Sequence, residues 1–262
     1  MKAVYQDILT AIKVKKKLLA VLIDPDKFPI EKTSCFIKKV NASVATHIFV
    51  GGSTVNEDAT EALVSEIKNL TNLPIVLFPG DVSQITNQAD AILFLSLISG
   101  RNPDYLIGKH VEAIEKLRGA DLEIIPTGYI LIEGGKQTST QKVTKTQPLT
   151  RNNIQLIVDT AKAGELLGMK LIYLEAGSGA KEPLSSEIIR LVKMELQIPL
   201  IIGGGIRDLK KIGEAYKAGA DMVVIGTAFE EDESFFDELK TPMHLEHSMP
   251  NRKTKRFKKI TK

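Results

Sequence analysis

The 262-residue chain holds one cysteine, Cys35, and no tryptophan. A lone thiol excludes a disulfide framework and a cysteine-ligated zinc site, and it suits a reducing compartment, so a cytoplasmic location is expected. Aromatic residues make up 5% of the chain, too few for the base-stacking surfaces of a nucleic-acid binder. No apolar run is long enough to span a bilayer. The first seventeen residues are charged and amphipathic, unlike a signal peptide. A soluble protein is expected.

The formal charge of +3 is unevenly spread. Residues 244–262 carry seven Lys/Arg against one Glu, which leaves 28 basic and 31 acidic residues in the body. The body therefore has no nucleic-acid footprint. The basic tail reads as a disordered, solvated end, or as a segment drawn to an anionic membrane surface if the substrate is a lipid. A division into a catalytic domain over 1–243 and this tail follows.

What is present is a hydrophobic fraction of 43%, arranged in a repeating order. Apolar runs at 18–23, 47–50, 73–78, 91–97, 123–131, 170–174, 198–202 and 222–225 predict eight strands. Amphipathic stretches at 30–39, 58–70, 103–117, 152–167, 185–196, 209–218 and 230–239 predict the helices between them. Eight near-continuous apolar strands with crossover helices predict an α/β fold, a single (β/α)8 TIM barrel. A helix near residues 5–15 is extra and plugs the closed end. Residues 80–90 are short and poorly periodic, so the third helix is degenerate or missing. Residues 133–150 form a long polar stretch, either a lid or a plain surface loop.

Active sites of such barrels lie at the C-terminal strand ends. The seventh strand ends in Gly203-Gly204-Gly205 and the eighth in Gly226-Thr227. Glycines bring backbone N–H groups close to a ligand, and two such ends side by side suit a phosphate. Gly177-Ser178-Gly179 after the sixth strand adds donors. Asp24 with Ser53 or Thr54 suits a hard cation that keeps its waters, although Asp24 equally caps the turn that follows it. Glu175 reads as a buried general base or as a structural ion pair. Lys27 and Arg207 steer an anion or are simply solvated. His47 and His110 are placed for structural roles, which speaks against a histidine triad.

With these residues in place, the sequence resembles the geranylgeranylglyceryl phosphate synthase (PcrB-like) family. The resemblance runs from the plug helix to about Leu239. It rests on LIDPDK (22–27), VGGST (50–54), YLEAGSGA (173–180), IIGGGIR (201–207) and VIGTAF (224–229). The resemblance implies Mg2+-dependent transfer of a prenyl group to the 3-hydroxyl of sn-glycerol 1-phosphate, with diphosphate released. It implies that Asp24 and Ser53 hold the metal. Tyr173, Leu174, Glu175, Ala176, Gly177, Ser178, Gly179, Gly203, Gly204, Gly226 and Thr227 are expected around glycerol phosphate, with Glu175 and Tyr173 catalytic. A homo-oligomer and peripheral membrane contact are also expected.

Some bacterial members place a lysine where this chain has Leu22, which turns the reading away from longer-chain, heptaprenyl donors and toward geranylgeranyl diphosphate. An apolar groove beside Leu77, Phe78, Leu95 and Leu97 is expected to hold the tail. Tyr105 either closes that groove or packs outward. The competing classes are a longer-chain synthase, a metal-independent phosphosugar enzyme, and a non-catalytic phosphate-binding barrel. Asp24 and Glu175 argue against the last.

Overall fold

A computed structural model describes residues 3–53, 58–226, 229 and 235–239. Eight parallel strands close into a barrel in chain order. They are β1 (Leu18–Ile23), β2 (His47–Val50), β3 (Ile75–Leu77), β4 (Ala91–Leu97), β5 (Glu123–Leu131), β6 (Leu171–Glu175), β7 (Leu200–Gly203) and β8 (Met222–Ile225). β8 pairs back onto β1. Around them lie α1 (Val4–Lys13), α2 (Thr33–Asn41), α3 (Ala59–Lys68), α4 (Lys109–Leu117), α5 (Ser139–Thr144), α6 (Ile154–Leu166), α7 (Ser186–Glu195) and α8 (Leu209–Ala218).

The apolar strands are buried on both sides because alternate residues fill two cores. In β1, Leu18 and Ala20 face the barrel interior, while Leu19, Val21 and Ile23 face the helices. Helix α1 buries Val4, Ile8 and Ala11 in the interior core. The Tyr5 amide donates to Glu123 at the start of β5 (3.1 Å), and the Tyr5 hydroxyl to the Lys170 carbonyl just before β6 (3.3 Å). Those contacts place α1 at the N-terminal, closed end, as expected.

Two strands begin two residues later than the apolar runs suggest. Pro74 and Pro199 have no N–H to give a ladder, yet their carbonyls accept from Ile48 and Ile172 at its edge. β6 instead runs one residue further, so Glu175 pairs with Gly203.

After β3 no full helix forms, as the aperiodic stretch at 80–90 led us to expect. Only a 3-10 turn, Val82–Gln84, stands in its place, capped by the Asp81 carboxylate on the Ser83 amide (3.1 Å). A helix would otherwise cover β4. Without it Phe94 and Leu95, neighbours that point to opposite faces, are both only partly buried. The polar stretch after β5 contains α5, started by a capping box between Thr138 and Gln141. It is anchored by a bridge from Ile132 to Leu149. The basic tail and residues 230–234, the first half of the last expected helix, lie outside the described residues, while Phe235–Glu238 is helical. No described helix is long and apolar enough to cross a membrane.

Candidate active site

One continuous cavity of about 280 Å³ opens at the C-terminal ends of the strands. It has a polar end over β6, β7 and β8, a carboxylate over β1, and an apolar arm that runs out between β4 and α4.

The polar end is shaped by glycine. Gly177, Gly179, Gly204 and Gly205 all have φ between +64° and +102°, a backbone that side chains rarely adopt. A Cβ on Gly204 would run into the Glu175 carboxylate and stand 2.7 Å from the Gly177 amide and 2.8 Å from that of Ala176. A Cβ on Gly203 would strike both the Tyr173 hydroxyl and the Glu175 carboxylate. The glycines thus let the β6 and β7 ends approach until donors and acid share one small volume.

Glu175 sits at the centre. It is 7% exposed, and its Oε1 accepts from the Gly177 amide at 2.6 Å. Burial raises its pKa to about 7, against the lowering effects of the Gly177 amide and the Tyr173 hydroxyl. Tyr173 and Tyr129 are held neutral by burial and by the nearby Glu175. Their rings lie 5.4 Å apart, and Phe78 stacks on Tyr173 at 5.1 Å. A carboxyl that titrates near neutral pH in a glycine-lined pocket can take a proton from a bound alcohol.

Strand parity sorts the expected glycerol phosphate residues. Tyr173, Glu175, Ser178, Gly179, Gly204 and Gly226 line the cavity. Leu174 and Ala176 point the other way, into the core under the helices. Gly177 and Gly203 are not part of the lining; the Gly177 amide donates to Glu175 and the Gly203 carbonyl accepts from Ala176. Thr227 lies outside the described residues. Gly205, Ile206 and Arg207 line the cavity as well.

The β1 and β2 ends meet beside this. A Cβ on Gly52 would come within 2.7 Å of Asp24 Oδ1, so the carboxylate rests against the residue before Ser53. Asp24 Oδ1 accepts from the Asp26 amide (3.2 Å), the turn cap that one reading expected, and Oδ2 holds the Lys27 ammonium at 2.6 Å. One oxygen is thus already satisfied by a cation. No group of three acidic, histidine or cysteine side chains is assembled among the described residues. Asp24 offers one carboxylate at the cavity, which fits Mg2+ because that ion keeps several waters and takes further ligands from substrate. Thr54 lies outside the described residues.

Several contributors were not visible in the sequence. Thr140 on α5 brings its hydroxyl to 3.4 Å from Ser53 Oγ. Gln84, buried in the turn that replaces the missing helix, donates to the Gly52 carbonyl at 2.8 Å. No motif marks either residue. Tyr129 had a weaker signal, since alternation along β5 puts it on the interior face with Leu131.

The apolar arm includes Phe78, Leu95 and Leu97, as expected, whereas Leu77 faces the helix core. Tyr105 turns inward. It lines the arm, packs on the interior core, and sits on a π-helical turn, Asp104–Gly108. His110 also lines the arm, closer than its sequence position suggests, with Nε2 3.1 Å from Ser96 Oγ. His47 is buried at the start of β2, and burial followed by the Lys16 charge lowers its pKa to about 4. It is structural.

A sequence profile of the PcrB family matches residues 11–243. The chain is 57% identical over 234 residues to the geranylgeranylglyceryl phosphate synthase of Flavobacterium johnsoniae, covering 89% of this chain and 96% of that protein. It is 42% identical over 226 residues to the synthase of the same name from Pyrococcus abyssi, covering 86% and 88%. Its fold is similar to the crystal structure of (S)-3-O-geranylgeranylglyceryl phosphate synthase from Thermoplasma acidophilum in complex with the substrate sn-glycerol-1-phosphate. That match has a TM-score of 0.85 at 33% identity, over 92% of this chain and 96% of that one.

Proposed function

The chain belongs to the PcrB family, and on that footing we propose how its cavity joins sn-glycerol 1-phosphate to geranylgeranyl diphosphate. The product is geranylgeranylglyceryl phosphate, an ether lipid precursor, and diphosphate leaves. One observation carries the reading: Glu175, titrating near pH 7, lies where a glycine-lined anion end meets an apolar arm.

The phosphate of the glycerol substrate sits over Gly179, Gly204 and Gly226 and takes backbone donors there. That anchor orients the 3-hydroxyl toward Glu175, and orientation alone removes much of the barrier. The hydroxyl oxygen attacks C1 of the prenyl donor as Glu175 takes its proton. A carbon–oxygen bond forms, the bond from C1 to the diphosphate oxygen breaks, and the electron pair leaves on diphosphate. Tyr173 places its buried hydroxyl, which has no hydrogen-bond partner among the described residues, beside the Glu175 carboxylate, where the substrate hydroxyl can meet it. Asp24 and Ser53 would hold Mg2+, which supplies charge compensation for the leaving diphosphate. Lys27, which now holds Asp24 Oδ2, would give up that oxygen to such an ion.

The tail runs along Phe78 and Leu95 toward Tyr105. An inward Tyr105 supports a C20 donor over a C35 one, and so does Leu22, which packs on Gly226 where some relatives have lysine. The outer face of α4 and the turn before it leaves Ile107, Val111 and Ile114 60%, 66% and 47% exposed. A second copy is the cover we infer. Antiparallel pairing of two such helices about Val111 sets Asp104 of each copy against Arg118 of the other. The cytoplasmic body and a membrane-attracted tail complete the reading.

The test is incubation of labelled glycerol 1-phosphate with geranylgeranyl diphosphate, with and without Mg2+, followed by organic extraction. Label in the organic phase only with Mg2+ is expected. Label that stays aqueous in both would overturn the assignment. Light scattering should give at least a dimer, and Val111→Asp should shift it to monomer.

A further inference from the structure

We propose that the ion pair between Asp81 and Lys109 is a strap across the outer half of the apolar arm, and that it limits entry of tails longer than C20. The inference rests on the prenyl-transfer reading of the same cavity. It concerns a wall of the groove, whereas Tyr105 lies within it.

The strap exists because a helix is missing. In a regular barrel the helix after β3 would pack its side chains against β4 and α4. Here the 3-10 turn brings only Val82 and Ile85 to one wall of the arm, while α4 brings His110 and Ala113 to the other. Polar links span the gap between these walls. Lys109 Nζ reaches Asp81 Oδ2 at 3.1 Å, and Lys116 Nζ reaches the Ser83 carbonyl at 3.4 Å.

Both ends of the first link are fixed. The other oxygen of Asp81 caps the turn through the Ser83 amide at 3.1 Å. Lys109 is steadied on its own helix by Glu112 at 2.9 Å. Burial works against the Asp81 carboxylate, yet the Ser83 amide and Lys109 hold its pKa below the usual value. Both strap residues line the cavity, and their charges act on the neighbouring Tyr105 hydroxyl.

The side chains are 34% and 42% exposed, so water competes for the pair and opening it costs little. That suits a selector. A C20 tail that ends near Tyr105 leaves the strap closed, while each added isoprene unit must pass beneath it or push it apart. Packing would have made a rigid wall at this point; an exposed pair makes one that yields to ionic strength.

The experiment compares C20, C25 and C35 diphosphates as competing donors for Asp81→Asn, Lys109→Met and Glu112→Gln. Asparagine keeps the acceptor for Ser83, and methionine keeps the apolar stem, so neither change removes the wall itself. The first two variants should raise kcat/KM for C25 and C35 relative to C20 by up to about fivefold, the equivalent of the ~1 kcal/mol of an exposed pair. Glu112→Gln keeps an acceptor for Lys109 on α4 and leaves the Asp81 link intact, so it should leave the ratio as in the wild type, and 0.5 M salt should move the wild type toward the variants. Unchanged ratios in both strap variants, or an equal change in Glu112→Gln, would overturn the strap. Calorimetric binding of the same diphosphates gives the ratio without turnover. Failure of the wild type to transfer a C20 group would therefore sink the prenyl-transfer reading while the strap is still judged.

Discussion

The β6–β8 end of the cavity and its β3–β4 side are built by opposite means. At the first, four glycines with positive φ draw backbone and acid together until no side chain fits. At the second, an absent helix leaves Phe94 and Leu95 partly uncovered and a 3-10 turn tied across by lysines. One region gains its function by close approach, the other by an opening. The first should therefore fail sharply under small substitutions. The second should respond in degrees, because flexible apolar walls adjust to what they hold.

The largest expected effect is at the acid. Glu175→Gln should reduce kcat by ~10²–10⁴ and leave both substrates bound, as loss of a general base does. In the intact enzyme kcat/KM should fall as pH drops below about 7, where Glu175 becomes protonated. Near-normal turnover in Glu175→Gln would make the carboxylate structural.

On the open side the expected effect is graded. Each buried methylene contributes roughly 0.8 kcal/mol, so C20 should clearly outcompete C15 in kcat/KM, while C35 gains nothing beyond the end of the arm. Tyr105→Ala should lift C35 toward C20. A C20 preference that survives the change would remove Tyr105 as the limit on tail length.

A stability effect distinguishes the two regions further. Glu175 has its pKa raised from 4.5 to about 7, so its protonated form favours the folded state. That contribution is complete below about pH 4.5 and is lost as pH rises to 7, on the order of 3 kcal/mol. Glu175→Gln should therefore melt above the wild type at pH 8 and close to it at pH 5. A constant difference across that range would contradict a buried, titrating acid.

The smallest effect is expected from the tail. Removing residues 251–262 should leave turnover on detergent-dispersed substrate unchanged and reduce binding to anionic vesicles at low salt. Unaltered vesicle binding would leave a plain solvated end.

The two regions also differed in how far the sequence disclosed them. Glycine and apolar parity are local signals. Leu200-Ile201-Ile202 followed by three glycines points to a strand end that meets an anion, and alternation along β6 turns Tyr173 and Glu175 inward and Leu174 outward. The missing helix was also legible, because residues 80–90 lack any helical period. What fills the gap was not. Asp81 and Lys109 are far apart in sequence, and so are Ser53 and Thr140. Only the folded barrel brings each pair together. The capping box at Thr138 and Gln141 was a local signal of α5, hidden within a stretch that reads as uniformly polar.

The division of the cavity is tested most directly by Gly204→Val, with affinities for glycerol 1-phosphate and for a non-reactive C20 thiodiphosphate measured separately by calorimetry. The account predicts that the added side chain, meeting Glu175 and the Gly177 and Ala176 amides, weakens glycerol phosphate binding by about 10² or more while the C20 analogue stays within a few-fold of its wild-type affinity. Equal loss of both affinities in a folded variant would contradict it.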